Sequence, residues 1–315
     1  MKNGVFQPEL DGISDDEWLE LMAHASGQAS RYFSENQLYL AYARNRVKVT
    51  RYIAHRGMIG LGMIAIGLAV WVLALKADWG LTLVFGIALT LTGVGLVGTG
   101  VVTRRDPAAR EPITRWLSKW TAVHGEQFLV AEATLSQAGI DYVPPAVDCL
   151  VIVERDALVD LLLKNGAHSA LSALIVSESG YPRLLASEAR RLLETRPDLK
   201  VIAVHDATPA GVAMPARLQK SAVYPLAQRA VLDAGLFPAD VTWLAELAPA
   251  IPATHTNRVP LDSLSFTALF VGLRGVAQGA LSLYTAIETA RSSDAARSDV
   301  ASGGELDPAA GPVRP

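Results

Sequence analysis

Two long apolar stretches dominate the pattern of hydrophobic and polar positions along the chain. Residues 57–75 and 80–102 contain no charged side chain. At 1.5 Å per residue, helices of these lengths can cross a hydrocarbon core of about 30 Å. Only the four residues from Lys76 to Trp79 separate the two stretches. The pattern therefore predicts a transmembrane hairpin of two antiparallel helices.

Basic residues flank this hairpin on its outer ends, whereas the turn offers only Lys76. The flanking residues are Arg44, Arg46, Lys48, Arg51 and Arg56 before it and Arg104, Arg105, Arg110 and Arg115 after it. The positive-inside rule then places both termini in the cytoplasm, with the hairpin in a bacterial inner or plasma membrane. Because neither helix carries an ionisable residue, transport is disfavoured and the hairpin is interpreted as an anchor in the lipid bilayer.

The second apolar stretch, residues 80–102, is rich in small side chains. They are Gly86, Ala88, Thr90, Gly93, Gly95, Gly98 and Gly100. Small residues allow close helix packing, so this face serves either packing within the hairpin or a homo-oligomer.

After the hairpin, short apolar runs alternate with amphipathic segments. Runs rich in β-branched residues predict strands at 149–153, 173–176 and 200–204, with a fourth at 222–224. Helical periodicity predicts helices at 157–164, 183–195 and 210–218. This alternation is typical of an α/β domain in which helices flank a parallel sheet.

The whole chain is thereby divided into five parts. They are an N-terminal helical cytosolic segment (1–56), the hairpin (57–102), a helical connector (103–140), the α/β domain with a C-terminal helix (141–290) and a disordered tail (291–315). The stretch 264–287 is long enough to span a bilayer, but Arg274 and Gln278 lie near its middle. Burying an arginine there costs about 2.5–3.5 kcal/mol, so we expect a helix packed on the domain. Whether this helix also touches the membrane surface stays open.

Composition narrows the function classes. The 315 residues carry a formal net charge of −3, which argues against broad electrostatic binding of nucleic acid. Cys149 is the only cysteine, so no intrachain disulfide can form. Any binding or catalytic function must therefore depend on local clusters of side chains.

Acidic residues follow two of the predicted strands. Glu154 comes directly after the first strand, and Asp206 follows the third after His205. Ligands of open α/β sheets gather at the carboxyl ends of the strands, where these two carboxylates could hold Mg²⁺. The alternative is that each acid caps the helix that follows it.

The order of three short motifs resembles a Toprim domain, closest to that of the topoisomerase VI A subunit and its meiotic break-forming relatives. The motifs are VIVERDA, SESGYP and VIAVHDATPAG, within residues 148–212. In that family they correspond to a V-V-E-K-D-A-like strand end, a G-K-G-Y-P-like turn and a strand ending in D-A-D-P-Y-G. The resemblance implies that Glu154 is a general acid/base or metal ligand and that Asp206 holds Mg²⁺. It also matches Gly180, Tyr181 and Pro182 to the turn, and Pro209 and Gly211 to the end of the third motif.

This chain departs from the family at two points. Thr208 stands where the second aspartate of the metal-binding pair is expected, so the predicted metal set is Glu154, Asp206 and the neutral hydroxyl of Thr208. Asp156 or Glu178 could compensate for the lost charge. In addition, no domain comparable to the one that carries the family's DNA-cutting tyrosine precedes the motifs.

Two functions follow from this resemblance. The first is a non-catalytic, membrane-anchored Toprim-like module that binds a cytosolic protein, nucleotide or nucleic acid. The alternative is a Mg²⁺-dependent phosphoryl-transfer enzyme, such as a nuclease, tethered to the membrane. The lost acidic residue favours the first, because metal-held charge is the main catalytic resource of such sites.

Overall fold

The computed structural model describes residues 15–26, 32–77, 80–101, 111–124, 128–137, 139–244, 247, 251 and 253–302. The chain forms two compact units, one made of residues 1–40 and 114–315 and the other of residues 41–113. The described helices are α1 (Asp15–Ser26), α2 (Glu35–Ala77), α3 (Gly80–Val101), α4 (Glu111–His124), α5 (Asp156–Lys164), α6 (Ala167–Ala170), α7 (Arg183–Thr195), α8 (Pro209–Val212), α9 (Met214–Leu218), α10 (Pro238–Trp243), α11 (Phe266–Ala277) and α12 (Leu283–Ser302). The strands are β1 (Cys149–Val153), β2 (Ala173–Ser177), β3 (Lys200–Val204) and β4 (Val231–Asp233).

The first unit is built around a four-stranded parallel sheet in the order β2-β1-β3-β4. Every residue of β1 and β2 is buried, as expected for parallel strands covered on both faces. β2 lies on one side of β1, and β3 lies on the other. Because the chain passes from β1 to β2 and then crosses to β3, the strand order reverses between β1 and β3. The predicted α/β class with a parallel sheet flanked by helices is confirmed.

Most predicted elements of this sheet are found at the expected positions. β1, β3 and α7 have the predicted bounds, β2 is one residue longer, and α5 begins one residue earlier. Helix α7 buries Leu185, Ala186, Ala189, Leu192 and Leu193, the spacing of one helical face.

Other elements differ from the prediction. The fourth strand is Val231–Asp233, not 222–224. The apolar pattern at 222–224 arises because Tyr224 is buried and donates a hydrogen bond from its hydroxyl to the backbone oxygen of Ser177 at 2.8 Å. The helix predicted at 210–218 consists of α8 and α9, which meet at Ala213.

The C-terminal region is more helical than predicted. The stretch 264–287 is divided between α11 and α12, with Gln278 at the end of α11. Helix α12 continues to Ser302, into the segment expected to be disordered, and Arg291 lies 3.4 Å from Glu288 one turn earlier. Residues 303–315 lie outside the described part.

The second unit contains the long apolar stretches, and its two helices pack closely. A Cβ atom added to Gly93 would lie 2.6 Å from the backbone oxygen of Gly60, and one added to Gly86 would lie 3.0 Å from that of Gly67. The pairing of 93 with 60 and of 86 with 67 shows that α2 and α3 run antiparallel here. Gly86 and Gly93 of α3 thus face α2, and a homo-oligomer through the small residues of this helix stays a prediction.

The transmembrane hairpin predicted at 57–75 and 80–102 is contradicted. Within the part of the chain that the structure describes, no helix is both long enough and apolar enough to cross a bilayer. The integral membrane location with both termini in the cytoplasm was inferred from this hairpin, and we withdraw it.

Candidate functional site

The carboxyl ends of β1 and β3 bring the two predicted acidic residues together. Oε2 of Glu154 accepts a hydrogen bond of 2.9 Å from the backbone N–H of Asp206. This is the place where the strand order reverses, which is where open α/β sheets bind their ligands. The sequence therefore predicted that these two residues meet, and there the carboxylate of Glu154 accepts from the backbone N–H of Asp206.

The side chain of Asp206 is held by an arginine. Nε of Arg155 donates to Oδ2 of Asp206 at 2.8 Å, and Nη2 donates to Oδ1 at 3.2 Å. The backbone N–H of Leu261 donates to the same Oδ1 at 2.7 Å. Both oxygens of Asp206 thus already accept strong, charge-assisted or backbone hydrogen bonds.

The same arginine also contacts Asp262, which the sequence analysis did not single out. Nη2 of Arg155 lies 2.5 Å from Oδ1 of Asp262. Burial works against the charge on Arg155, but Asp262 and Asp206 outweigh it and raise the pKa of the guanidinium. Arg155 is therefore a firmly charged centre between two aspartates.

The remaining motif residues support the backbone. Oγ1 of Thr208 accepts from the backbone N–H of Gly211 at 2.8 Å and caps α8, whose first residue is Pro209. A Cβ atom on Gly211 would lie 2.3 Å from the backbone oxygen of Asp206 and 2.9 Å from Oε2 of Glu154. In the third motif, Thr208 is thus a helix cap, and Gly211 lets two segments of the chain approach each other closely.

The turn that contains Gly180, Tyr181 and Pro182 has a structural role as well. Gly180 has a φ of +88°, and the Tyr181–Pro182 peptide bond is cis. The hydroxyl of Tyr181 donates to Oδ1 of the buried Asp160 at 2.7 Å. Burial first, and then the bond to Asp160, raise the pKa of this tyrosine, so it stays protonated.

The two acids that could have compensated for Thr208 are engaged elsewhere. Oδ1 of Asp156 accepts from the hydroxyl of Ser179 at 2.8 Å. The two oxygens of Glu178 accept from Nε and Nη2 of Arg217 at 2.8 and 2.7 Å. In the described contacts, neither of these carboxylates joins Asp206 at the ends of β1 and β3.

These contacts do not fit the Mg²⁺ ion that the resemblance implies. Mg²⁺ needs several free oxygen ligands at about 2.0–2.1 Å. Here the oxygens of Asp206, Oε2 of Glu154 and Oγ1 of Thr208 accept hydrogen bonds from the protein itself. A cationic side chain also stands beside Asp206, which repels a second cation. We therefore assign no reaction step to a metal.

His205, which precedes Asp206, is completely buried and bonded on both ring nitrogens. Nδ1 lies 2.8 Å from the backbone oxygen of Asp206, and Nε2 lies 2.9 Å from Oδ1 of Asp233. A carbonyl and an ionised carboxylate only accept, so both contacts are hydrogen bonds only when both ring nitrogens carry a proton. Burial lowers the pKa of His205, but the bonds to Asp233 and to Asp206 raise it by more.

We expect the stability of the protein to fall as the pH rises above about 6.5, the ordinary histidine pKa. Because the folded-state pKa of His205 is raised, its contribution is fully present below the unfolded-state value and is lost as the pH passes through the folded-state value. Urea unfolding of the wild type and of Asp233→Asn over about pH 6.5–8.5 measures this. The variant should show a flatter pH dependence, and equal slopes would contradict the assignment. The pKa of His168 is lowered by burial, so its contribution changes on the acid side of this window.

Sequence reasoning missed Arg155 and Asp262 as partners of the site. Arg155 lies inside the VIVERDA motif, and a cation at a strand end beside two acids is a signal that could have been used. Asp262 lies in a short 3-10 segment, Leu261–Ser263, 56 residues beyond Asp206, and no local pattern marks it. Asp262 contacts Arg155 only because the folded chain brings this segment back to the edge of the sheet.

Comparisons with known protein families, with curated proteins and with solved structures found no match. The Toprim resemblance therefore remains a hypothesis based on the three motifs.

Proposed function

We propose that the α/β domain is a non-catalytic, Toprim-like binding module for a partner protein. The observation that carries this proposal is the pairing of Asp206 with Arg155 at 2.8 and 3.2 Å. The acid expected to hold the catalytic metal is thereby neutralised by the protein's own cation. With Asp206 paired to Arg155, the site keeps less negative charge with which to hold a metal for phosphoryl transfer.

The charges at this edge favour a protein over a nucleotide or nucleic acid. Arg155 and Arg217, the arginines described in contacts at the strand ends, are each paired with carboxylates. Phosphate recognition relies on arginines and lysines that are free to form such pairs with the ligand. By contrast, Trp243 on α10 is 72% exposed, and tryptophan is enriched at the centres of protein interfaces.

The catalytic alternative is tested with the full chain in cleavage assays on single- and double-stranded DNA and RNA, with Mg²⁺ or Mn²⁺. We expect no cleavage above the rate of the Glu154→Gln variant. Fluorescence anisotropy with labelled nucleotides and oligonucleotides should likewise show no binding that Arg155→Ala or Arg217→Ala weakens. Metal-dependent cleavage that Glu154→Gln abolishes would replace the proposal with the nuclease alternative.

The binding function is tested by placing a photo-reactive amino acid at position 243 of the full chain in its native cells. We expect one discrete crosslinked protein, identified by mass spectrometry. The matched control places the same group at Leu184, which is 56% exposed on α7. An identical set of adducts at both positions would argue against a specific interface at α10.

A further inference from the structure

We infer that Arg155 is a built-in cation that takes the place of a metal ion, joining Asp206 to Asp262 and making the folded site independent of metal. This inference rests on the proposed non-catalytic function, because a catalytic Toprim-like site would keep Asp206 free for Mg²⁺.

The central observation is that a single nitrogen of Arg155 contacts two carboxylates. Nη2 lies 3.2 Å from Oδ1 of Asp206 and 2.5 Å from Oδ1 of Asp262. The two aspartate side chains are only 10% and 7% exposed, whereas that of Arg155 is 34% exposed. Two nearly buried carboxylates that face one position repel each other unless a positive charge occupies it.

The bridge also holds segments that are distant in the sequence. The backbone N–H of Leu261 donates to Asp206, and Nδ2 of Asn36 donates to both oxygens of Asp262 at 3.1 Å. The hydroxyl of Ser34 donates to the backbone oxygen of Asp262 at 3.2 Å. The cation therefore links the ends of β1 and β3 to the 261–263 segment and, through Asp262, to residues 34–36.

If Arg155 takes the place of a metal ion, its removal should have an effect that the loss of an ordinary salt bridge does not have. If the guanidinium is removed, Asp206 and Asp262 are left as paired carboxylate oxygens around a vacated position. Such oxygens are the ligands that Ca²⁺, Mn²⁺ and Mg²⁺ prefer. The Arg155→Ala variant should therefore acquire a response to divalent cations that the wild type lacks.

The test is thermal unfolding of the full chain in EDTA and in millimolar CaCl₂, MnCl₂ or MgCl₂. We expect the wild-type midpoint to move by no more than about 1 °C with the cations. Arg155→Ala should melt about 10 °C lower in EDTA, because two buried charges lose their partner, and should regain at least about half of this loss with Ca²⁺ or Mn²⁺. Arg217→Ala is the matched control, since Arg217 pairs with the single carboxylate of Glu178, and it should show no cation response.

The double variant Arg155→Ala/Asp262→Asn, which removes one carboxylate, should lose the cation response. If Arg155→Ala does not fold in EDTA, its refolding yield with and without Mn²⁺ is the readout, and Arg155→Lys provides a charged variant expected to stay metal-insensitive. A wild type stabilised by Mg²⁺ through Asp206 would overturn both this inference and the proposed function. An Arg155→Ala variant that no cation rescues, beside an insensitive wild type, would overturn this inference alone.

Discussion

Replacing Gly235 by alanine is expected to destabilise the protein by about 3 kcal/mol, because the added methyl group has no space. A Cβ atom at this position would lie 2.1–2.3 Å from three ring atoms of His205. The ring cannot easily move away, since both of its nitrogens are bonded and the ring of Phe237 packs at 5.4 Å from its centre. The chain or the ring must therefore shift and break the bond to Asp233.

The measurement is urea unfolding of the Gly235→Ala variant beside Gly139→Ala. Gly139 is the control because its added Cβ would meet no atom within 4 Å, so that variant should stay within about 0.5 kcal/mol of the wild type. Equal stabilities of the two variants would show that the ring of His205 is not fixed as described.

Removing the carboxylate of Asp160 is expected to cost a similar amount, about 3 kcal/mol in Asp160→Ala. This side chain is fully buried on α5 and accepts four hydrogen bonds. One comes from the hydroxyl of Tyr181, two from the backbone N–H and hydroxyl of Thr134, and one from the backbone N–H of Leu135. Truncation leaves these donors without their acceptor and releases residues 134–135 from the domain.

Denaturant unfolding of Asp160→Ala is compared with Asp198→Ala, whose side chain is 78% exposed and which should change stability by less than about 0.5 kcal/mol.

Combining Asp160→Ala with Tyr181→Phe tests the coupling between these two residues directly. Because the two residues share a hydrogen bond of 2.7 Å, their separate losses should not add in the double variant. Strictly additive losses would contradict the described contact.

Glu154 and Asp206 show how acidic residues at the ends of strands can support the fold through hydrogen bonds. Glu154 and Asp206 stand at the reversal of the strand order, as a ligand site requires. Their oxygens nevertheless accept from the backbone of Asp206, from Arg155 and from Leu261. The helix-cap alternative is met by Thr208 and not by the acids.

Local sequence predicted the central sheet well. The strands β1, β2 and β3 are continuous apolar runs because both faces of a parallel sheet are covered, and α7 has one clear apolar face. The edge strand β4 has three residues, none of them buried, so its pattern is too short to indicate a strand. Tyr224 produced the false signal because a buried side chain in a loop resembles a strand residue in a short apolar run.

The sequence by itself therefore determined the α/β class, the positions of three strands along the chain and the edge at which Glu154 and Asp206 meet. Periodicity and burial act over a few residues, and so these features can be seen in the chain. Only the tertiary structure decided which partners those acids have, because Arg155 and Asp262 are 107 residues apart and meet through folding. These contacts place Asp206 in a salt bridge with Arg155, which the motif alone did not indicate.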